Sequence, residues 1–481
     1  MTDRSPPAEP PAWRRSVALL VIGAATAQIF GHTLRTPTQL EANDISRWCT
    51  VWSLVERGTY SIDDCPWHTK TQDKVRKPEP FYRGTGTPPE HYYSSKPPLL
   101  PTIIAAIVYP FRIATGVPLD KTVLQERNER WVAKEDPTQP GGVSYVKETP
   151  KEPVRWPVYV FYLKPIVVLL NVVPMVVFLA LYIRLLDRFA PDDWSWLVSL
   201  FAAAWGTYLF VFEPTLNNHT VAAYSAFFAL VPALRIWDSR LPSPRDLVLC
   251  GFFAAFTACN ELPAAVFGIA LFLMLLARSP RETLLWFVPA AAVPCLAFLA
   301  TQYLAMGQFR PAYEEFGTKA YNYEGSYWNT PLEFDWFNKY PEPKWLYLLH
   351  MTLGHHGVLS LTPIFLFSAY GAIRGLRGPG RALSSLSWLT IGLTVAMVAF
   401  YTWNPKARNY GGSTQGLRWL FWLIPLWLAV LPLGLRKSLK WISLAALLAS
   451  IFSVGYGLRT PWSHPWVLDW IEHMSWYHLE R

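Results

Sequence analysis

Glu41-Ala42-Asn43-Asp44-Ile45-Ser46-Arg47-Trp48 opens a stretch that closes with His91-Tyr92-Tyr93-Ser94-Ser95-Lys96-Pro97-Pro98-Leu99-Leu100, and the placement of this stretch decides how the whole chain is threaded. It follows the first long apolar run, residues 17–34, and combines an acid at a helix start, an amphipathic segment and a lysine before two prolines. Apolar side chains at Trp48, Val51, Trp52 and Val55 recur at helical spacing, so residues 40–57 predict a helix with one buried stripe lying in a membrane interface. Downstream of it the chain reads as a membrane scaffold.

Of the 481 residues, 52% are hydrophobic and 15% aromatic, whereas only 16% are charged, and several apolar runs approach the length that crosses a bilayer. This composition predicts a polytopic membrane protein. Residues 17–34 follow Arg14 and Arg15 and lack a short apolar core with an Ala-x-Ala site, so they read as a retained helix rather than a cleaved leader. The 42 prolines and 24 tryptophans suit broken helices and interfacial belts. A net charge of +9 fits basic cytoplasmic loops, and no nucleic-acid partner is expected. The five cysteines lack metal-ligand spacing; Cys49 and Cys65 share the first outer loop and are open to pairing or to remaining free.

Lysine and arginine favour the cytoplasmic side of short loops, and that rule fixes the threading. Arg4, Arg14 and Arg15 place the N-terminus inside, so 17–34 crosses outward and residues 35–156 form a first exoplasmic loop. The run 158–183 ends at Arg184 and Arg188, which belong inside. Residues 97–117, interrupted by Pro101, Pro110 and Arg112, therefore read as a surface helix, and the insert 120–155 as a local elaboration outside. The chain then passes out through 196–212, turns at 213–219 and returns through 221–236. Residues 247–277 have arginines at both ends and are too short for two full spans, which predicts a short helical hairpin turning at Asn260-Glu261-Leu262-Pro263. Spans at 283–305, 345–372, 383–402, 417–433 and 441–456 follow, with a second large outer loop at 306–344 and an outer tail at 458–481. The expectation is a single all-α membrane domain, residues 1–481, with about ten spans and all long loops on one side.

Asp44 in the first turn of its helix complements the helix dipole, and that alone is a sufficient reason for an acid there. Beside the membrane and facing Lys96, it is also a candidate catalytic group. Lys96 reads either as a snorkelling lysine or as a cation held for a phosphate. The pair Asp44-Ile45-Ser46-Arg47-Trp48 and Ser95-Lys96-Pro97-Pro98-Leu99-Leu100 resembles the first exoplasmic loop of GT-C membrane glycosyltransferases, in particular the protein O-mannosyltransferases and lipid A aminoarabinose transferases. The likeness covers the order of elements across residues 15–280, with a weaker match at Gly411-Gly412-Ser413-Thr414-Gln415-Gly416-Leu417-Arg418-Trp419.

The resemblance implies a GT-C fold at the cell membrane and inverting transfer of a sugar from a polyprenyl-phosphate donor to an exoplasmic acceptor. Asp44 would be the general base and Lys96 the ligand of the departing phosphate, with Arg47, Tyr93 and Arg418 binding substrate and no cofactor or metal required. Where relatives carry a second acid this chain has Asn217-Asn218-His219, so that acid is not reproduced unless Glu213 swings in; Asn218 or His219 is expected to reach the site by hydrogen bonding, the alternative being an ordinary helix cap by Asn217 or Asn218. Glu261, at the hairpin tip, is a further candidate or a turn cap. His355 and His356 read as neutral hydrogen-bonding groups and substrate contacts, and the tryptophans of residues 462–476 as an interfacial belt. The rival readings are a transporter or flippase of lipid-linked saccharides, and a non-catalytic membrane subunit.

Overall fold

The structure is a computed structural model that describes residues 11–37, 41–125, 130–135, 143–148, 154–239, 241–315, 317–326, 342–378, 380–404 and 410–474. Arg4, Leu40, Arg240, Trp476 and much of the loop 306–344 therefore lie outside the described residues. The chain is a helical, multi-pass membrane protein. Among the described residues, seven helices are long and apolar enough to cross a membrane: α1 (Ala12–Arg35), then Tyr159–Phe189, Asp193–Phe212, His219–Asp238, Pro280–Met306, Arg381–Trp403 and Lys437–Gly457. They correspond to predicted spans. The hairpin also forms, with arms Pro244–Asn260 and Ala265–Arg278 of 17 and 14 residues. At 1.5 Å per residue those arms reach about 26 and 21 Å, short of a hydrocarbon core of about 30 Å.

Two predicted spans take another form. Residues 345–372 are not one helix: Lys344–Thr352 stops, a turn follows, and the chain resumes as Val358–Leu361 and Phe365–Gly375. The turn needs glycine at 354 and 357, because a Cβ at either would lie 2.3 Å from His350 Nδ1 or 2.4 Å from Ser360 Oγ. The 417–433 run starts as a tight 3₁₀ segment, Arg418–Leu423, before the helix Ile424–Gly434. That helix lies backbone to backbone on Phe365–Gly375, since a Cβ at Gly371 would sit 2.1 Å from the Val430 carbonyl and one at Gly434 would meet that of Phe367.

The fold is mostly helical, in keeping with the all-α expectation, and to it the first loop adds short paired strands. The loop holds α2 (Ala42–Arg57), strands β1 (Lys74–Pro78) and β2 (Glu90–Ser94), and α3 (Leu99–Thr115), and continues into β3 (Thr122–Gln125), β4 (Arg130–Glu135), β5 (Val143–Glu148) and β6 (Val154–Pro157). β1 pairs antiparallel with β2, β3 with β6 and β4 with β5, so the insert is a nested ribbon rather than a domain. These strands are short and carry charged and aromatic residues without a sustained alternation, which hides them from a hydrophobic pattern. α3 packs Leu100, Ile104, Ala105 and Val108 against the stripe Trp48, Val51, Trp52 and Val55 of α2, while Tyr109, Phe111 and Ile113 stay exposed.

Below the loop, the bundle core gathers Tyr182, Trp196, Phe212, Phe227, Phe267 and Trp422, all buried. Within Tyr159–Phe189 the turn Val168–Val172 is widened to a π turn just before Pro174, whose missing N–H breaks the regular ladder. Asn171 in that turn points inward, donating 2.8 Å hydrogen bonds to the carbonyls of Glu213 and Thr215 and accepting one from Thr220. A local defect in one helix thus pins the 213–219 turn, which carries part of the candidate site.

Candidate functional site

Three connections come together over one end of the bundle: the first loop, the 213–219 turn and the hairpin tip. Arg47 donates to the side-chain oxygen of Asn218. Asn218 in turn donates to the Asn260 carbonyl and to Glu261, each at 2.7 Å. Glu261 also meets His219 Nδ1, so cation, amide, carboxylate and imidazole alternate along one chain of contacts. Of the 213–219 turn, Asn218 and His219 both reach this cluster. Glu213 does not: it is fully buried in the bundle, where Tyr224 donates to it.

Asp44 stands one turn before Arg47 on α2 and is 1% exposed. Neither carboxylate oxygen has a hydrogen-bond partner among the described residues. It is therefore not a helix cap, for capping would engage an oxygen with a backbone N–H of the first turn. Burial raises its pKa to about 7, opposed by Arg47, by the Trp462 indole, which bears on the carboxylate without the alignment of a hydrogen bond, and by Arg418. An acid with that pKa is partly ionised at neutral pH and able to take up a proton.

Lys96 is held by a residue that the motif does not contain. Its Nζ lies 3.2 Å from Asp73 Oδ2. The Asp73 carbonyl accepts from Ser46 Oγ at 2.5 Å and from the Ser95 N–H at 3.0 Å. Ser94 Oγ bonds Ser46 Oγ at 2.6 Å and accepts from the Lys96 N–H at 3.1 Å. The serines before Lys96 therefore weld the lysine-proline turn to α2. Burial lowers the ammonium's pKa, and the Asp73 carboxylate works against that fall.

Arg418 completes the cluster from the far side of the sequence. Its guanidinium lies 4.8 Å over the Trp462 ring, and its Nε and Nη1 are buried without a hydrogen-bond partner among the described residues. Gly411, at φ +92°, makes room for it, because a Cβ there would stand 3.0 Å from Arg418 Nε. Its charge acts on Asp44, Glu41, Lys96 and His219, which places it centrally among the acids and cations of the loop.

Other expectations are redistributed. The Tyr93 ring packs with Val75, Met306 and Tyr321, and the crevice it shares with Lys96 holds about 10 Å³, too little for a substrate group. His355 and His356 lie outside this cluster, stacked around Tyr410. Trp462 belongs to the site and not to a belt. Cys49 and Cys65 are buried free thiols close enough to act on each other. Asp73 and Trp462 were missed from sequence because no spacing ties them to Asp44. The second loop roofs this region: Lys77 meets Glu315 at 2.6 Å, and Tyr323 donates to the Gln72 carbonyl at 3.0 Å. No protein-family model, curated protein or solved structure matches the chain.

Proposed function

We propose that the chain is a membrane glycosyltransferase that moves a sugar from a polyprenyl-phosphate donor to an acceptor on the exoplasmic face, inverting the anomeric centre. The observation that carries this reading is the meeting, in one cluster with Lys96, of the buried Asp44 carboxylate and of Arg418 Nε and Nη1, none of these atoms having a hydrogen-bond partner among the described residues. Buried polar atoms without partners are costly, so their retention favours a ligand that supplies the missing bonds. A sugar phosphate offers both halves: a phosphate for the guanidinium and a reacting hydroxyl or amine beside the carboxylate.

In this reading the acceptor oxygen or nitrogen attacks the anomeric carbon as its bond to the phosphate oxygen breaks, and Asp44 takes the acceptor's proton. Arg418 binds the departing phosphate through Nε and Nη1, a fork that suits two phosphate oxygens. Lys96 already has Asp73, so it neutralises the leaving group only by sharing its ammonium between Asp73 and the phosphate. The Asn218 amide, held by Glu261 and Asn260, keeps Arg47 beside Asp44 and out of the phosphate pocket.

The test is a panel of polyprenyl-phosphate sugars presented to the purified protein with detection of released polyprenyl phosphate. Release from one donor, lost in Asp44→Asn, supports transfer. Movement of intact donor across vesicles without release would assign the chain to transport instead.

A further inference from the structure

A second polar cluster lies beside the Asp44 site and takes no part in the chemistry above. Glu342, His350 and His355 each offer one ligand-capable atom, and these atoms lie within 4.8 Å of one another. His350 ends the helix Lys344–Thr352 and His355 sits in the turn after it, with the two rings stacked at 4.0 Å between centroids. His350 Nδ1 is buried without a hydrogen-bond partner among the described residues. His355 Nδ1 lies 2.6 Å from His356 Nδ1, so one ring donates to the other. Tyr410 donates its hydroxyl to Glu342 and stacks on His356 at 4.6 Å.

Two stacked imidazoles and a neighbouring carboxylate bring three ligand-capable atoms into one place. Neutral imidazole is the form that coordinates metals. As packing alone the arrangement is a poor choice, since apolar rings would fill the same space with no desolvation to offset.

We propose that Glu342, His350 and His355 bind a divalent transition metal ion, with zinc the best match to two imidazole nitrogens and one carboxylate oxygen. Ligand atoms around a tetrahedral zinc at about 2.0–2.1 Å stand about 3.4 Å apart, so closing from at most 4.8 Å needs only side-chain rotation. With its Nδ1 turned to His356, His355 presents Nε2 to the ion. Tyr410 on Glu342 and His356 on His355 supply the outer hydrogen bonds that orient metal ligands.

The ion would also brace the neighbouring site. Tyr410 is followed by Gly411, which lies against Arg418, and His464, whose charge bears on His355 and His356, stands two residues after Trp462. The proposal does not depend on the transfer reaction. The experiment uses the full chain, purified without a histidine tag, stripped with chelator and reloaded with zinc chloride or cobalt chloride alone. Elemental analysis is expected to find about one zinc per chain, with His350→Gln and His355→Gln each removing it and Tyr410→Phe weakening binding about 10–100-fold. Cobalt-loaded wild type is expected to show visible ligand-field bands absent from the variants. Less than about a tenth of an equivalent of zinc in the wild type, or variants that retain it, overturns the site. If the variants fail to fold, the wild-type cobalt spectrum decides alone, and one indistinguishable from aqueous cobalt overturns the proposal.

Discussion

The two ends of the bundle carry similar charges and treat them in opposite ways. At the end away from the site, Arg14 bridges Asp187 and Asp193 at 3.3 and 2.6 Å, Arg188 meets Asp238, and Arg235 meets Asp246 at 3.3 Å. Every one of those arginines has a carboxylate, and most of the groups keep some exposure to solvent. At the other end both carboxylate oxygens of Asp44 and the Nε and Nη1 of Arg418 are drawn into the protein without a hydrogen-bond partner among the described residues. The first arrangement ties helix ends together and satisfies itself; the second is incomplete until something else arrives. The same amino-acid types thus serve anchoring in one place and, in our proposal, recognition and proton transfer in the other.

The largest effect expected from breaking this contrast is on turnover. Asp44→Asn removes the proton acceptor while keeping the shape, and a loss of about 10²–10⁴-fold in kcat is expected from steady-state release of polyprenyl phosphate. Lys96→Met leaves Asp73 buried and alone, which costs about 3–5 kcal/mol in thermal or denaturant unfolding. Adding Asp73→Asn recovers most of that stability, and donor affinity that stays weak in the double variant separates Lys96's ligand role from its structural one. Arg418→Gln is expected to raise the donor KM by about 10-fold or more, as loss of a charge-assisted bond worth about 1.5–3 kcal/mol requires.

A smaller effect concerns pH. Burial holds the Asp44 pKa at about 7, so kcat/KM is expected to rise about tenfold per pH unit below 7 and level off above it. The sign for stability runs the other way. The folded chain binds this proton more tightly than the unfolded chain does, so Asp44 penalises folding as pH climbs from about 4 to about 7, fully above that. Asp44→Asn is therefore expected to raise the melting temperature at pH 8 and to leave it unchanged near pH 3.5. At the opposite end Arg188→Ala is expected to change stability by about 1 kcal/mol or less and turnover not at all, because a half-exposed ion pair contributes little.

Much of the architecture was legible from charge and length. The two ends of residues 247–277 do lie at one end of the bundle: Arg278 donates to the Ile236 carbonyl at 3.1 Å, and Asp246, which follows Arg245, meets Arg235 at 3.3 Å. The hairpin tip is where Asn260 and Glu261 predicted it, and it faces the first loop. Periodicity did not reveal the interruption at Gly354-His355-His356-Gly357, because the apolar count across it still resembles a span, whereas close backbone approach decides its course. Asp73 and Trp462 were illegible for another reason. Each is brought to Asp44 or Lys96 by loop closure and hydrogen bonds over long separations, and no local pattern records such a meeting. Tyr93, named among the substrate-binding candidates, packs its ring with Val75, Met306 and Tyr321 near the end of β2, and this packing leaves only about 10 Å³ in the crevice it shares with Lys96.

The most direct measurement compares wild type and Asp44→Asn in a single-turnover reaction, with the chain in excess over one radiolabelled polyprenyl-phosphate sugar and with donor binding measured in parallel. The account predicts that both proteins bind donor with Kd values within about threefold, and that only the wild type converts it to polyprenyl phosphate and glycosylated acceptor. Equal conversion by the two proteins would remove Asp44 from the chemistry and contradict the account.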